Sequence, residues 1–237
     1  MSYLTLPSLR AFAECPAYYH FLQHTYDTPT NRRVATVISV VKKCYMLATE
    51  TGYRASWKRL LGWVDEEVFA EVDVHDPEAF KAARTLSERI LRALSVWYHE
   101  VYMTEDQEAF VDLDLSMELG QHVIADCLDV IQVGDPVRVT VFTEVGVEPF
   151  KMYNDIVVRG RAWLTARNLG CDEVAVRIIG IGERGGLTME TLRLGSAEHR
   201  RVSSTLLHIA TSMERGVRYP SRRESCGSCP FNRRCIL

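Results

Sequence analysis

The sequence lacks any apolar run long enough to span a bilayer. Its longest runs, such as RVATVISVV at residues 33–41, are far shorter than the roughly 20 residues that a membrane helix needs. The start, MSYLTLPSLRAF, also lacks the basic segment and apolar block of a secretory signal. These two absences predict a cytoplasmic protein without membrane contact, in a compartment where stable disulfides are rare. The seven cysteines are therefore better explained as metal ligands or buried free thiols.

Lysine is scarce as well, with 5 lysines against 23 arginines, and a net charge of −3 excludes a protein that is basic overall. Positive charge is nevertheless concentrated in residues 215–237, the cysteine tail, which hold six arginines. Arginine presents a planar fork that suits phosphate oxygens, so the tail indicates either nucleic-acid contact or a solvated basic end. The candidate DNA contacts are Arg218, Arg222, Arg223, Arg233 and Arg234.

Hydrophobic periodicity predicts helices in the first part of the chain and a sheet in the middle. The glycine-rich stretch GIGERGG at 180–186 joins two predicted strands, so it is interpreted as a hairpin turn rather than a phosphate loop. The order of elements predicts one α/β domain over residues 1–237, with a helical region at 26–105 and a core at 106–195. The predicted helices cover 5–22 with a break at Pro16, 33–51, 76–103, 153–169 and 196–216, and a three-stranded meander follows residue 108.

Three cysteines of the tail have the spacing C-x2-C-x5-C, which lets three thiolates converge on one centre. Cys15 is the candidate for the fourth ligand because it lies beside Pro16 at a helix break. Four thiolates hold tetrahedral zinc or an iron–sulphur cluster, and the spacing does not choose between them. The site would join Cys15 to Cys226, Cys229 and Cys235, whereas Cys44, Cys127 and Cys171 are interpreted as core residues.

Two motifs at opposite ends of the chain resemble those of RecB-like nucleases with an iron–sulphur cluster. They are S-L-x-x-F-x-x-C-P-x-x-Y, from Ser8 to Tyr19, and C-x2-C-P-x4-C, from Cys226 to Cys235. This family includes the CRISPR-associated RecB-like exonucleases and the AddB-type subunits. The resemblance implies a PD-(D/E)XK, restriction-endonuclease-like sheet flanked by helices over nearly the whole chain. It also implies a 4Fe–4S cluster held by the four cysteines, with residues 1–25 and 215–237 forming a cluster subdomain.

The resemblance further locates a nuclease centre, in which carboxylates and a lysine hold one or two divalent metal ions. Only Asp129 keeps the family residue. Asp126 is three residues away along a strand, so we expect it to face away from Asp129, and Lys151 is the one lysine near enough to have replaced the missing one. At the other positions Ser39 replaces a histidine, Phe142 an acid, Glu144 the lysine and Trp163 a tyrosine.

A single carboxylate is a poor magnesium site. We therefore expect a catalytically inactive iron–sulphur protein of nuclease fold, which binds DNA, preferably single-stranded, or a protein partner in a DNA-processing assembly. One alternative is an active magnesium- or manganese-dependent DNA exonuclease with rearranged ligands. Another is a structural, protein-binding subunit without DNA contact. Zinc is the alternative occupant of the four cysteines.

Overall fold

A computed structural model gives the conformation of most of the chain. It describes residues 2–22, 31–73, 75–105, 108–144 and 149–218, with residues 220, 226, 229 and 235.

The described residues form a mixed sheet of six strands with helices on both faces. The path β1-β3-β4-β5-β6 contains two parallel pairs, β1 with β3 and β4 with β5, and its other pairs are antiparallel. β2 pairs antiparallel with β3 along its whole length. The strands are β1 Ser2–Thr5, β2 Ala109–Leu119, β3 His122–Gln132, β4 Val137–Thr143, β5 Val174–Ile181 and β6 Leu187–Leu194.

β3 has two different strands along one of its edges. β1 pairs with residues 122–125, and β4 pairs with residues 130–132. Residues 126–129, all of them described, lie between the two without a strand on that edge. We call this opening, with the adjoining ends of β1 and β4, the fork. It leaves the backbone edge and side chains at the centre of β3 accessible to helices from both faces.

The helices begin and end at residues whose chemistry favours those ends. Asp76 caps α5 by accepting hydrogen bonds from two backbone N–H groups, and Pro77 is the first helical residue, as the sequence predicts. Gly170 ends the helix before β5 in a left-handed conformation, also as predicted. The helices are α1 Leu6–Glu14, α2 Pro16–Leu22, α3 Arg32–Thr51, α4 Trp57–Phe69, α5 Pro77–Trp97, α6 Pro149–Asn154, α7 Ile156–Leu169 and α8 Ser196–Glu214.

Each face of the sheet carries its own apolar core. Core 1 packs α3, α4 and α5 against one face, and core 2 packs α1, α7 and α8 against the other. α5 continues into a π-helical turn, Tyr98–Tyr102, whose aromatic side chains also belong to core 1. Among the described residues, no helix has both the length and the apolar character needed to cross a bilayer.

Successive side chains of a regular strand alternate between the two faces of the sheet. In β2 and β3 this alternation shifts by one residue near the middle of the strand, and we call the shift a phase change. In β3, Leu128 and Ile131 pack in core 2, whereas Val130 packs in core 1. In β2, Val111 contacts core 1 and Leu113 contacts core 2, although they are two residues apart. Asp112, between them, has a φ of 52°, which accounts for the local change of direction.

The β5–β6 hairpin supports the interpretation of GIGERGG as a turn, and its tip packs tightly on α5. Gly185 has a φ of 82°, and a Cβ atom there would lie 2.3 Å from the carbonyl oxygen of Arg89. We expect Gly185→Ala to lower the free energy of unfolding by about 2 kcal/mol, because it adds left-handed strain to a backbone clash. Urea unfolding would measure this. Gly186→Ala is the control, since no atom lies within 4 Å of its Cβ position, and equal losses in both variants would contradict the prediction.

Candidate functional site

The fork brings together charged side chains from four elements. Asp126 and Asp129 come from β3, and the register places Asp112 of β2 across from Asp129. The ammonium of Lys42, on α3, lies 2.6 Å from Asp112 Oδ1 and 2.7 Å from Asp129 Oδ1. One lysine therefore bridges two carboxylates that would otherwise repel each other across the strand pair.

The second cation of the fork is Arg161, on α7. Its Nε donates to Asp126 Oδ2 at 2.7 Å, and a terminal nitrogen lies 3.7 Å from Asp129 Oδ2. The Asp129 carboxylate thus directs one oxygen to α3 and the other to α7. Only 9% of the Asp126 side chain and 14% of the Arg161 side chain are exposed, so this pair is largely removed from solvent.

The environment of Lys42 stabilises its charged form. Burial lowers the pKa of Lys42, but the hydrogen bonds and charges of Asp129 and Asp112 outweigh burial and hold the pKa above its ordinary value. The ammonium is therefore fully protonated at neutral pH. Three carboxylates and two cations form one ion-pair network, in which each cation contacts two acids.

The structure corrects one prediction about this site. Asp126 was expected to face away from Asp129, yet the same guanidinium, that of Arg161, contacts both carboxylates. The reason is the phase change of β3, which invalidates a strict period of two between residues 126 and 129. Sequence reasoning also missed Lys42, although it follows Ser39 by three residues, one helical turn, on the predicted helix 33–51. Lys151, the predicted replacement, lies in α6.

The other positions matched to the nuclease pattern lie apart from this network. Ser39 donates to Glu67 Oε1 at 2.7 Å, on the side of α3 that meets α4. Phe142 is half-buried against core 1, and Glu144 is exposed just beyond β4. Trp163 is 1% exposed in core 2. Of the five positions matched to the nuclease pattern, Ser39, Asp129, Phe142, Glu144 and Trp163, the fork includes Asp129 alone.

All four cysteines of the predicted site are among the described residues, and each of them is half-buried. Cys15 separates α1 from α2, and its Sγ accepts a hydrogen bond from the backbone N–H of Tyr18 at 3.4 Å. Burial raises the pKa of the Cys235 thiol, and the charges of Cys15, Cys229 and Cys226 raise it further. However, no group of three or more His, Cys, Asp or Glu side chains in the described part of the chain is arranged to hold a metal ion. Ligation by these cysteines remains a prediction.

The three remaining cysteines differ from one another. Cys44 is fully buried in core 1, as predicted, and burial raises its pKa to about 12. Cys171 is half-buried beside core 2. Cys127 is exposed, so the prediction of a core residue is wrong there, because the phase of β3 puts it beside Asp114 on an uncovered part of the sheet.

Of the five predicted DNA contacts, only Arg218 is among the described residues. Arg218 is exposed and lines a cavity of about 220 Å³ with Tyr19, His20 and Glu214. This cavity adjoins Pro16 and therefore the Cys15 end of the cysteine site. The other predicted contacts, Arg222, Arg223, Arg233 and Arg234, lie outside the described residues.

Comparison with solved structures finds the same fold in another protein. The chain superimposes over its full length on 89% of a provisionally named exonuclease from Eubacterium rectale, with a TM-score of 0.56 and 15% sequence identity. A weaker similarity, with a TM-score of 0.40 and 12% identity, covers 93% of the chain and 94% of the protein SSO0001. The sequence matches neither a described protein family nor a curated protein. The first comparison shows a shared fold, which in this chain is a six-stranded sheet flanked by helices.

Proposed function

We propose that this chain is a nuclease-fold protein whose catalytic centre is closed by its own cations, and that it acts as a DNA-binding component of a DNA-processing assembly. The observation that carries the proposal is the Lys42 ammonium, which lies within 2.7 Å of both Asp112 and Asp129. In this arrangement a protein cation stands between the two carboxylates that a divalent ion would need.

The chemistry of phosphodiester cleavage explains why this arrangement is unfavourable for catalysis. A metal ion must be held by carboxylates while it keeps a position for water and substrate. Lys42 and Arg161 already engage one oxygen each of Asp129, so an incoming ion has to displace both. Phe142, at the family's acid position, offers no metal ligand. Asp126 is committed to Arg161 in a largely buried pair.

The cysteine site supports a structural cofactor in the same proposal. Cys15, Cys226, Cys229 and Cys235 would hold a 4Fe–4S cluster, and zinc is the alternative occupant of the same thiolates. The group would supply a covalent link between the two ends of the chain. Cys15 lies directly before α2, and its Sγ accepts a hydrogen bond from the backbone N–H of Tyr18.

A second candidate function rests on the same side chains. Asp112, Asp129 and Lys42 together provide two facing carboxylates and a lysine, which is the ligand chemistry of a metal-dependent nuclease with a relocated lysine. The structural similarity to a provisionally named exonuclease agrees with this alternative. In that case magnesium or manganese would enter the fork, and Lys42 would turn towards the phosphate.

A cleavage assay separates the two candidates. We expect no degradation of fluorescently labelled single- or double-stranded DNA with magnesium or manganese, because protein cations already engage both oxygens of Asp129. The parent is compared with Asp129→Asn and with Lys42→Met. Cleavage by the parent that disappears in both variants would contradict the closed centre and establish the exonuclease.

Binding of DNA is tested separately from cleavage. Phosphate contacts release counterions, so the affinity for single-stranded DNA should fall steeply as salt rises. Fluorescence anisotropy at several salt concentrations measures this slope. Absence of binding at low salt would instead favour a structural subunit that contacts only protein.

A further inference from the structure

A second surface, distant in sequence from the tail, has features suited to nucleic acid. Residues 52–63, GYRASWKRLLGW, contain three aromatic and three basic residues and no acidic one. Tyr53 is 78% exposed, the highest value among the large apolar side chains in the described regions. Lys58 and Arg59 are exposed on the first turn of α4. We call residues 52–63 the aromatic–basic surface.

The backbone that carries Tyr53 is firmly fixed. The Tyr53 N–H donates to Thr51 Oγ1 at 3.2 Å, and the Ala55 N–H donates to the Tyr102 hydroxyl at 2.9 Å. The Arg54 guanidinium donates to the backbone carbonyl groups of Met103 and Glu105. A fixed loop that presents a solvent-exposed ring is preorganised for contact with a ligand, since binding then orders little additional chain.

Aromatic rings continue from this loop onto the π-helical turn. The Trp57 ring lies 6.1 Å from the exposed ring of His99, with an angle of 32° between the two planes. Further along α4, the Arg59 guanidinium lies 5.4 Å from the centre of the Trp63 ring. π-Helical turns occur frequently at functional sites. The surface therefore combines partly exposed ring faces with adjacent positive charge.

Packing against core 1 explains only some of the residues of the aromatic–basic surface. Trp57 and Trp63 contact core 1, which explains their presence at half-buried positions. Core 1 does not explain the exposed ring of Tyr53. Lys58 and Arg59 also form no ion pair with a carboxylate in the described regions of the chain, in contrast to Lys42 and Lys43.

We propose that the aromatic–basic surface binds a single-stranded polynucleotide. Bases would stack on Tyr53 and on the exposed part of Trp57, while Lys58 and Arg59 would contact phosphates, which is the combination that single-strand-binding proteins use. The positive charges of Lys58 and Arg59, which form no ion pair among the described residues, complement the phosphate backbone. The inference rests on the proposed nucleic-acid-binding function and assigns it a second site, separate from the tail.

The test measures binding of labelled oligo(dT) and oligo(rU), each of about twenty nucleotides, by anisotropy at low salt. Tyr53→Ala should weaken binding about tenfold, whereas Tyr53→Phe should retain it, because stacking needs the ring and not the hydroxyl. Lys58→Glu combined with Arg59→Glu should weaken binding by a similar factor and flatten its salt dependence.

In the parent, bound oligonucleotide should quench tryptophan fluorescence, which reports Trp57 and Trp63 because the other two tryptophans are 1% exposed. The DNA and RNA probes show which polymer is preferred.

Matched controls use equally exposed residues elsewhere. Tyr3→Ala removes a ring that is 69% exposed on β1, and Lys81→Glu reverses an exposed charge on α5. Neither should alter binding. Unchanged affinity in Tyr53→Ala and in the double charge reversal, or no binding by the parent, would overturn the inference. Loss of binding only in Arg222→Glu with Arg223→Glu would also overturn it, yet would leave the proposed DNA-binding function intact. The cleavage assay tests the closed catalytic centre independently of these binding measurements.

Discussion

Protein purified without oxygen is expected to be brown and to contain iron and sulphide, and Cys15→Ser is expected to be colourless and far less stable. The cluster would close a loop of about 210 residues between Cys15 and Cys226. By the loop-closure model, such a link restricts the unfolded chain by about 5 kcal/mol. The measurements are the visible absorption spectrum, iron and sulphide content, and urea unfolding.

Cys171→Ser is the matched control for the cluster. Like Cys15, Cys171 is half-buried, but it is not part of the four-thiol group, so its replacement should preserve colour and metal content. If the parent is colourless and contains one zinc ion per chain, the predicted ligands stand and the metal is zinc instead of iron. A parent with neither iron nor zinc would contradict the cysteine site altogether.

Arg161→Met is expected to lower the free energy of unfolding by about 3 kcal/mol. The substitution leaves the Asp126 carboxylate, whose side chain is 9% exposed, without its cation. Removal of one member of a largely buried ion pair is costly because the remaining charge stays desolvated. Urea unfolding of the variant and the parent at the same pH measures the difference.

The effect of Arg161→Met should be relieved by a second substitution. In the double variant Arg161→Met with Asp126→Asn, the uncompensated charge is gone, so part of the lost stability should return. Arg193→Met is the control, because the pair of Arg193 with Glu173 is largely exposed, and its loss should cost less than about 1 kcal/mol. Equal losses for Arg161→Met and Arg193→Met would show that the fork does not depend on its ion pairs.

Much of the fold could be predicted because its signals are local. The cap at Asp76, the stop at Gly170 and the hairpin at 180–186 each depend on residues within one turn. β1 was missed because its four residues have little periodicity, and it becomes a strand only through parallel pairing with residues 122–125 of β3. α4 was missed because its apolar stripe of Leu60, Val64 and Val68 lies among charged residues at positions 58, 59 and 65–67.

The candidate site could be predicted only at Asp129. Lys42, Asp112 and Arg161 come from separate elements, and their convergence depends on which way β2 and β3 face at a single point. That direction is set by the positive φ of Asp112 and by the accompanying phase change. A prediction that assumes a regular period of two includes neither of them. Asp126 and Cys127 precede this irregularity, and their positions follow the regular alternation from Ile124 to Leu128.

The pairing of β1 with β3 has a consequence for the order in which the chain folds during synthesis. Leu6 and Leu9, at the beginning of the chain, belong to core 2 together with Leu206 and Ala210. Core 1 is built mainly from residues 34–130, so it can begin to assemble on the ribosome while later segments are still being translated. β1 can pair only after β3 has been synthesised, and core 2 can close only after α8 has emerged from the ribosome. The nascent chain therefore begins with core 1 and encloses its own beginning last.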